Sequence, residues 1–279
     1  MTTIPQETKQ LGAEFWNSNP CGGAWPTYRE FLEWYQRTEP YIYRVLDQHD
    51  WQGRTVLEVG CGQGTVLNYL PGKGAIVHGI DMSGDSIAQA GAGAIELGHR
   101  DRVTFRVADA EALPFGDNSY ERIVSIGVLH HTPDTAKAVR EVYRTLSPGG
   151  TAIVMLYRKG NPKWWATVLL RAASKLLDRF RGRSGVLVER LREDSEEGSA
   201  QGTALLELFG VPVLNAFSYR ESREMFAQFS EVRITNHQPG FERLCDIVPW
   251  LGAVRRPLAF IDRFTYSVWG FYQVIEARK

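Results

Sequence analysis

The sequence predicts an α/β fold built on a parallel sheet with helices on both faces. Three observations carry that reading. Short β-branched, apolar runs alternate with helical patterns from Trp51 onward. The first run, Val56-Leu57-Glu58-Val59, stops abruptly in the alternating glycines Gly60, Gly62 and Gly64. Each of the next runs ends in a carboxylate or a polar turn: Asp81, then Asp109, then His130-His131. Strand and helix alternating at this spacing imply right-handed crossovers, and in such an open sheet ligands bind outside the carboxyl ends of the strands.

Taken in order, Thr55 to Val59 reads as a buried strand, followed by the glycine turn and a helix from Thr65 that must end near Pro71-Gly72. Ala75 to Ile80 is the second strand; Ser83 or Asp85 caps a helix running to about Leu97. Val103 to Val107 is the third and Arg122 to Ile126 the fourth, with a helix over Thr135 to Leu146 after it. Pro148-Gly149-Gly150 ends that helix, and Thr151 to Leu156 is the fifth strand. Further on, Tyr219 to Phe229 reads as a helix opened by the Ser218–Glu221 capping relation. Glu231 to His237 and Val268 to Ala277 read as the last strands.

Composition narrows the function. At 279 residues with a formal net charge of zero, the chain lacks the Lys/Arg excess by which a broad basic face binds nucleic acid. No secretory signal is visible, and the apolar run from Trp164 breaks at Arg171, short of the roughly 20 residues a bilayer requires. Cys21, Cys61 and Cys245 are far apart with no C-x-x-C pair, so a reducing cytoplasm is expected. His130 and His131 have no carboxylate or cysteine at ligand spacing, and no metal site is expected.

The glycines select the ligand. A dinucleotide fingerprint beginning at Gly60 would place its third glycine at position 65, which is Thr65. Glycines at 60, 62 and 64 preceded by Glu58 instead resemble the first motif of the class I S-adenosylmethionine-dependent methyltransferases, of the type 11 kind. The resemblance continues through Asp81, through Ala108-Asp109-Ala110-Glu111-Ala112-Leu113-Pro114-Phe115, through Gly127-Val128-Leu129-His130-His131 and through Leu146-Ser147-Pro148-Gly149-Gly150. It implies a Rossmann-like, seven-stranded, mostly parallel sheet of order 3-2-1-4-5-7-6 with strand seven antiparallel.

The same resemblance assigns roles. Gly60, Gly62 and Gly64 would let the loop backbone approach the methionine and ribose of S-adenosylmethionine, and Glu58 would support the loop or the cofactor's amino group. Asp81 would accept from both ribose hydroxyls, Met82 would lie on the adenine face, and Asp109 with the Ala110 amide would meet the adenine edge. Ser125 and Gly127, in the stretch to Leu129, would line the methionine end. S-adenosylhomocysteine would be the product. Because a sulfonium is already a good leaving group, catalysis should come mainly from alignment, about 7–11 kcal/mol in intramolecular models. A hydroxyl acceptor also wants a base: His131 is the first candidate and His130 the second.

The remaining segments frame the acceptor. Residues 1–50, rich in Trp and Tyr, read as a helical lid; residues 51–157 and 218–279 form the core. Residues 158–217 are an inserted helical cap and 240–266 a second insertion within the core. Helices are expected from Thr27 and around Tyr41, and Trp16, Tyr28, Tyr35, His131 and Arg243 would wall a pocket for a small aromatic or apolar molecule. The stretch Arg158 to Arg183 is basic and amphipathic. It reads as a helix packed on the core with its basic face solvated, as a cap over the pocket, or as a membrane-surface helix, the least favoured of the three. Methyl transfer to an O, N or activated C atom of a small metabolite is the expected activity. Methylation of a membrane-associated lipid or quinone is the alternative, and a non-enzymatic cofactor-binding protein the second.

Overall fold

A computed structural model of the chain describes residues 6–19, 25–181, 210–238 and 249–279. Its centre is a seven-stranded sheet of order β3-β2-β1-β4-β5-β7-β6. The strands are β1 (Thr55–Val59), β2 (Ile76–Asp81), β3 (Val103–Val107), β4 (Tyr120–Ile126), β5 (Leu146–Tyr157), β6 (Glu231–His237) and β7 (Tyr272–Arg278). All neighbours are parallel except β7, which runs antiparallel to both β5 and β6. Val56, Leu57 and Val59 of β1 are buried on both faces, as a central parallel strand requires.

Helices α1 (Gln6–Ser18), α2 (Tyr28–Thr38) and α3 (Pro40–Leu46) precede the sheet. α4 (Gly84–Glu96) follows β2 and α5 (Thr135–Thr145) follows β4. Beyond β5 come α6 (Pro162–Arg181), α7 (Tyr219–Met225) and α8 (Arg255–Trp269). Ser83 caps α4 by accepting from the Ser86 amide, and Ser218 with Glu221 forms the full capping box of α7. Two apolar clusters flank the sheet: one gathers Tyr41, Leu46, Leu67 and Phe271, the other Leu57, Ile123, Val142 and Phe226.

Several elements depart from the sequence reading. The helix expected from Thr65 is a set of turns closing in a short 3-10 segment, Leu70–Lys73, because Pro71 interrupts the ladder before it can lengthen. α1 is a further helix of the N-terminal segment, ahead of the two placed from Thr27 and around Tyr41. β5 begins at Leu146 and takes in Pro148-Gly149-Gly150, with a register shift against β4. Val268 and Trp269 end α8 rather than opening the last strand; Gly270, packed against the His237 amide, makes the corner. No described helix is long and apolar enough to cross a membrane.

Candidate active site

The loop after β1 is held open by a set of backbone bonds. The amides of Gly60 and Cys61 both donate to the Ile80 carbonyl, at 2.7 and 2.8 Å, fastening the loop to β2. The Gly62 amide donates to Asp81 Oδ2 at 2.8 Å, and the Ser83 amide to Oδ1 at 2.8 Å. Gly62 sits at φ 49°, and a Cβ built there would meet nothing within 4 Å. That open, left-handed position is a cradle that a side chain would fill.

Glu58 lies inside the loop, fully buried, and its Oε2 has no hydrogen-bond partner. Burial, then repulsion from Asp81, pushes its carboxyl well above the ordinary carboxylate range. Burial likewise raises Asp81, while the Ser83 and Gly62 amides pull it back. An orphaned buried carboxyl oxygen beside the glycine loop suits a ligand that brings its own donors, and an ammonium is such a donor.

Helix α1 crosses this mouth with one face. Lys9 Nζ sits 2.6 Å from Asp109 Oδ2 and 2.7 Å from Glu111 Oε2. Burial opposes the charge on Lys9, but the two carboxylates outweigh it and hold the ammonium above its usual range. Gly12 lies over the Met82 side chain, 3.7 Å from the position of its missing Cβ, and Asn17 Oδ1 accepts from the Ser83 hydroxyl at 2.7 Å. Trp16 packs edge-on against His131, ring centres 5.3 Å apart. Positions 9, 12, 16 and 17 share one helical face, so a single rigid element touches three consecutive strand ends.

The β4 loop carries the histidines. His131 Nδ1 is 2.9 Å from the Val213 carbonyl oxygen. A carbonyl only accepts, so in the neutral ring Nδ1 holds the proton and Nε2 the basic lone pair. Asn215 completes the clamp: its amide donates to the His130 carbonyl at 2.9 Å and its Nδ2 to the Thr132 carbonyl at 3.1 Å. Neither Val213 nor Asn215 carried any sequence signal beyond membership of the insertion. Their contacts span more than 80 residues, and only the folded chain reveals them.

Other expected residues are placed differently. His130 is completely buried and stacks on Tyr157 at 3.8 Å; burial, then His131, drives its imidazole well below the ordinary value, and it packs rather than facing the mouth. Ser125 is buried too, its hydroxyl donating to the Val59 carbonyl at 2.8 Å, which straps β4 to β1 and leaves no surface for a ligand. Tyr28, expected in the acceptor pocket, is instead wedged against the glycine loop: its hydroxyl donates to the Gln63 carbonyl at 2.8 Å and its ring fills the space a Cβ on Gly93 would need. Tyr35 packs on Phe31 and Tyr43. Gly127 turns at φ 79° and Ala110 packs on the second apolar cluster. Arg243 lies outside the described residues.

Comparison with known proteins bears on the class of the chain. Residues 57–154 match the family model described as a methyltransferase domain. Methyltransferase GfsG of Streptomyces halstedii is 29% identical over 257 residues, covering 84% of this chain and 92% of that protein. The 27-O-demethylrifamycin SV methyltransferase of Amycolatopsis mediterranei is 34% identical over 139 residues, 49% of this chain and half of that protein's length. Among solved structures, the [4+2]-cyclase SpnF superposes with a TM-score of 0.57 at 19% identity, over 98% of this chain and 96% of that one, a likeness of fold alone. Residues 57–154 thus carry a methyltransferase domain, and the chain as a whole is similar in sequence and fold to S-adenosylmethionine-dependent methyltransferases. Among the described residues there is no cluster of ligating side chains for a metal ion.

Proposed function

We propose that the chain methylates a hydroxyl oxygen of a small, largely apolar metabolite, with His131 as the base. The observation that carries this is the Val213–His131 clamp, which makes Nδ1 the protonated nitrogen of the neutral ring and Nε2 the basic one. Trp16 supplies an apolar wall against the same ring. The names of the two curated relatives fit such chemistry, one being an O-methyltransferase by its name.

The residues around β1 suit the methyl donor. Bound S-adenosylmethionine supplies an electrophilic methyl group on a sulfonium. The Gly62 cradle would take its carboxylate end and the orphaned Glu58 its ammonium. Asp81 would accept from the ribose diol, since each of its oxygens has a lone pair beyond the one given to a loop amide. Asp109 and Met82 would meet the adenine under α1. Lys9 and Trp16 make α1 a lid over both halves of the site, excluding water while the acceptor is aligned.

The test is transfer of isotopically labelled methyl from the donor to a panel of hydroxylated apolar acceptors, with release of S-adenosylhomocysteine. Label on oxygen in one acceptor class supports the reading. Label only on nitrogen or carbon, or turnover indifferent to His131→Ala at saturating acceptor, removes it.

A further inference from the structure

Helices α6 and α8 turn their apolar stripes outward. On α6, Trp165, Val168, Leu169, Ala172 and Leu176 recur at helical spacing and all are exposed, Trp165 at 59% and Leu169 at 68%. The side facing the core is the more polar one, although Trp164 packs against the core there. Thr167 is buried, Arg171 Nη2 donates to the Val211 carbonyl, and Lys163 Nζ lies 4.4 Å from the centre of the Phe271 ring. This reverses the amphipathic arrangement expected of a helix packed on a core with its basic face in water. α8 repeats it: Phe260, Ile261, Phe264 and Val268 form an exposed stripe, with Phe260 at 62% and Phe264 at 68%.

Both stripes are flanked by exposed cations, Lys175 and Arg179 on α6 and Arg256 and Arg263 on α8. In sequence α6 carries five basic residues against Asp178, and α8 three against Asp262, within a chain whose formal charges sum to zero overall. Both helices are rooted at one end of the sheet. α6 leaves from the end of β5 and α8 leads into the start of β7, where Tyr157 pairs with Tyr272. The Arg158 guanidinium donates to the Val268 carbonyl across the two roots. Tyr157 also stacks on His130, so this end is the one that bears the strand-four histidines.

We infer that α6 and α8 together form a docking surface for an anionic lipid bilayer, lying on it rather than crossing it. Apolar and aromatic side chains outward, basic residues beside them, and no spanning helix among those described are the features of an interfacial helix. A second copy of the chain is a poorer occupant: in a two-fold interface the cationic flanks would meet their own kind. The bilayer would then lie beside the mouth of the site, where an amphiphilic acceptor held in the lipid can reach it. That last step rests on the methyltransferase reading; the docking itself does not.

The experiment is co-sedimentation of the full chain with vesicles of phosphatidylcholine alone and of phosphatidylcholine mixed with phosphatidylglycerol, at low and high salt. Wild type should bind the anionic vesicles at low salt and be released by high salt. Leu169→Glu and Phe264→Glu should each lower the partition roughly tenfold, since each removes an apolar side chain from the buried layer. Lys175→Gln and Arg179→Gln should each lower it about fivefold, the equivalent of about 1 kcal/mol per cation near such a surface. Circular dichroism and cofactor binding check that each variant is folded. Absence of binding to anionic vesicles, equal binding to neutral ones, or variants that bind like wild type would overturn the inference. So would a dimer in light scattering that Leu169→Glu dissolves. A protein that binds vesicles but transfers no methyl group would retain the docking surface and refute the activity instead.

Discussion

The Tyr28 hydroxyl donates to the Gln63 carbonyl at 2.8 Å, tying α2 to the glycine loop, while its ring occupies the space left by Gly93 on α4. One side chain thereby joins three elements around the cradle, and the Asn68 amide donates to the same hydroxyl at 3.0 Å. Tyr28→Phe should lower stability by about 0.5–1.5 kcal/mol, because the Gln63 carbonyl loses its donor. Tyr28→Ala should lower it by about 3–5 kcal/mol through the cavity left behind. Chemical denaturation measures both, and the Phe variant should also bind the methyl donor more weakly than wild type.

Burial and Asp81 push the Glu58 carboxyl up in the free protein, and a cationic ligand group at its Oε2 would favour its charged form. Binding of the methyl donor near neutral pH should therefore release a proton. Calorimetry in buffers of different ionisation enthalpy reads that release as a slope in the observed heat. Glu58→Gln should flatten the slope; an unchanged slope would assign the proton elsewhere.

Lys9 bridges Asp109 and Glu111 from a helix that otherwise touches the core through few side chains. Removing residues 1–19 should leave a folded core, because the aromatic anchors Phe31 and Tyr41 remain, both buried. Dissociation of the methyl donor, followed by stopped-flow displacement, should become faster, and Lys9→Met should show part of the same effect. A rate equal to wild type in both would mean that α1 is no lid.

His131→Ala should reduce kcat by about 10²–10⁴-fold if the ring is the base. Affinity for the methyl donor should stay unchanged, since no loop amide of the cradle is bonded to His131 among the contacts described. Loss of donor binding in this variant would show that the ring is needed for the shape of the site.

His237 stacks on Tyr41, and burial, then the Arg44 charge, lowers its imidazole to about 4. Glu276, also nearby, favours the charged form but does not prevail. A depressed folded-state value means that the unfolded chain binds a proton first as pH falls. The stabilising contribution is complete above the ordinary value near 6.5 and is lost progressively towards pH 4. Thermal melting across that window should show wild type losing stability more steeply than His237→Gln.

The sheet was legible from the sequence because its signals are local. Thr55–Val59, Val103–Val107 and Glu231–His237 have the boundaries that β-branched runs between turns predict. Ser83 and the Ser218–Glu221 pair announce their helices within four residues. The strand-end carboxylates followed from position alone. What escaped depends on distant partners: Lys9 with Asp109 across 100 residues, His131 with Val213 across 82. Ser125 looked like a lining residue because a strand's end gives no sign of which side chain turns inward. Periodicity likewise showed that α6 has an apolar stripe, yet a stripe has no direction until the helix is packed. The outward turn of Leu169 and Trp165 is a tertiary fact.

Calorimetric titration of S-adenosylmethionine into wild type and Asp81→Ala decides whether the β1–β2 cradle is the donor's site. Wild type should bind one equivalent saturably. Asp81→Ala should bind roughly 10- to 100-fold more weakly, the loss expected for hydrogen bonds to a charged group, with the far-UV spectrum of the folded protein retained. Equal affinity in the two proteins, or no binding by wild type, would contradict it.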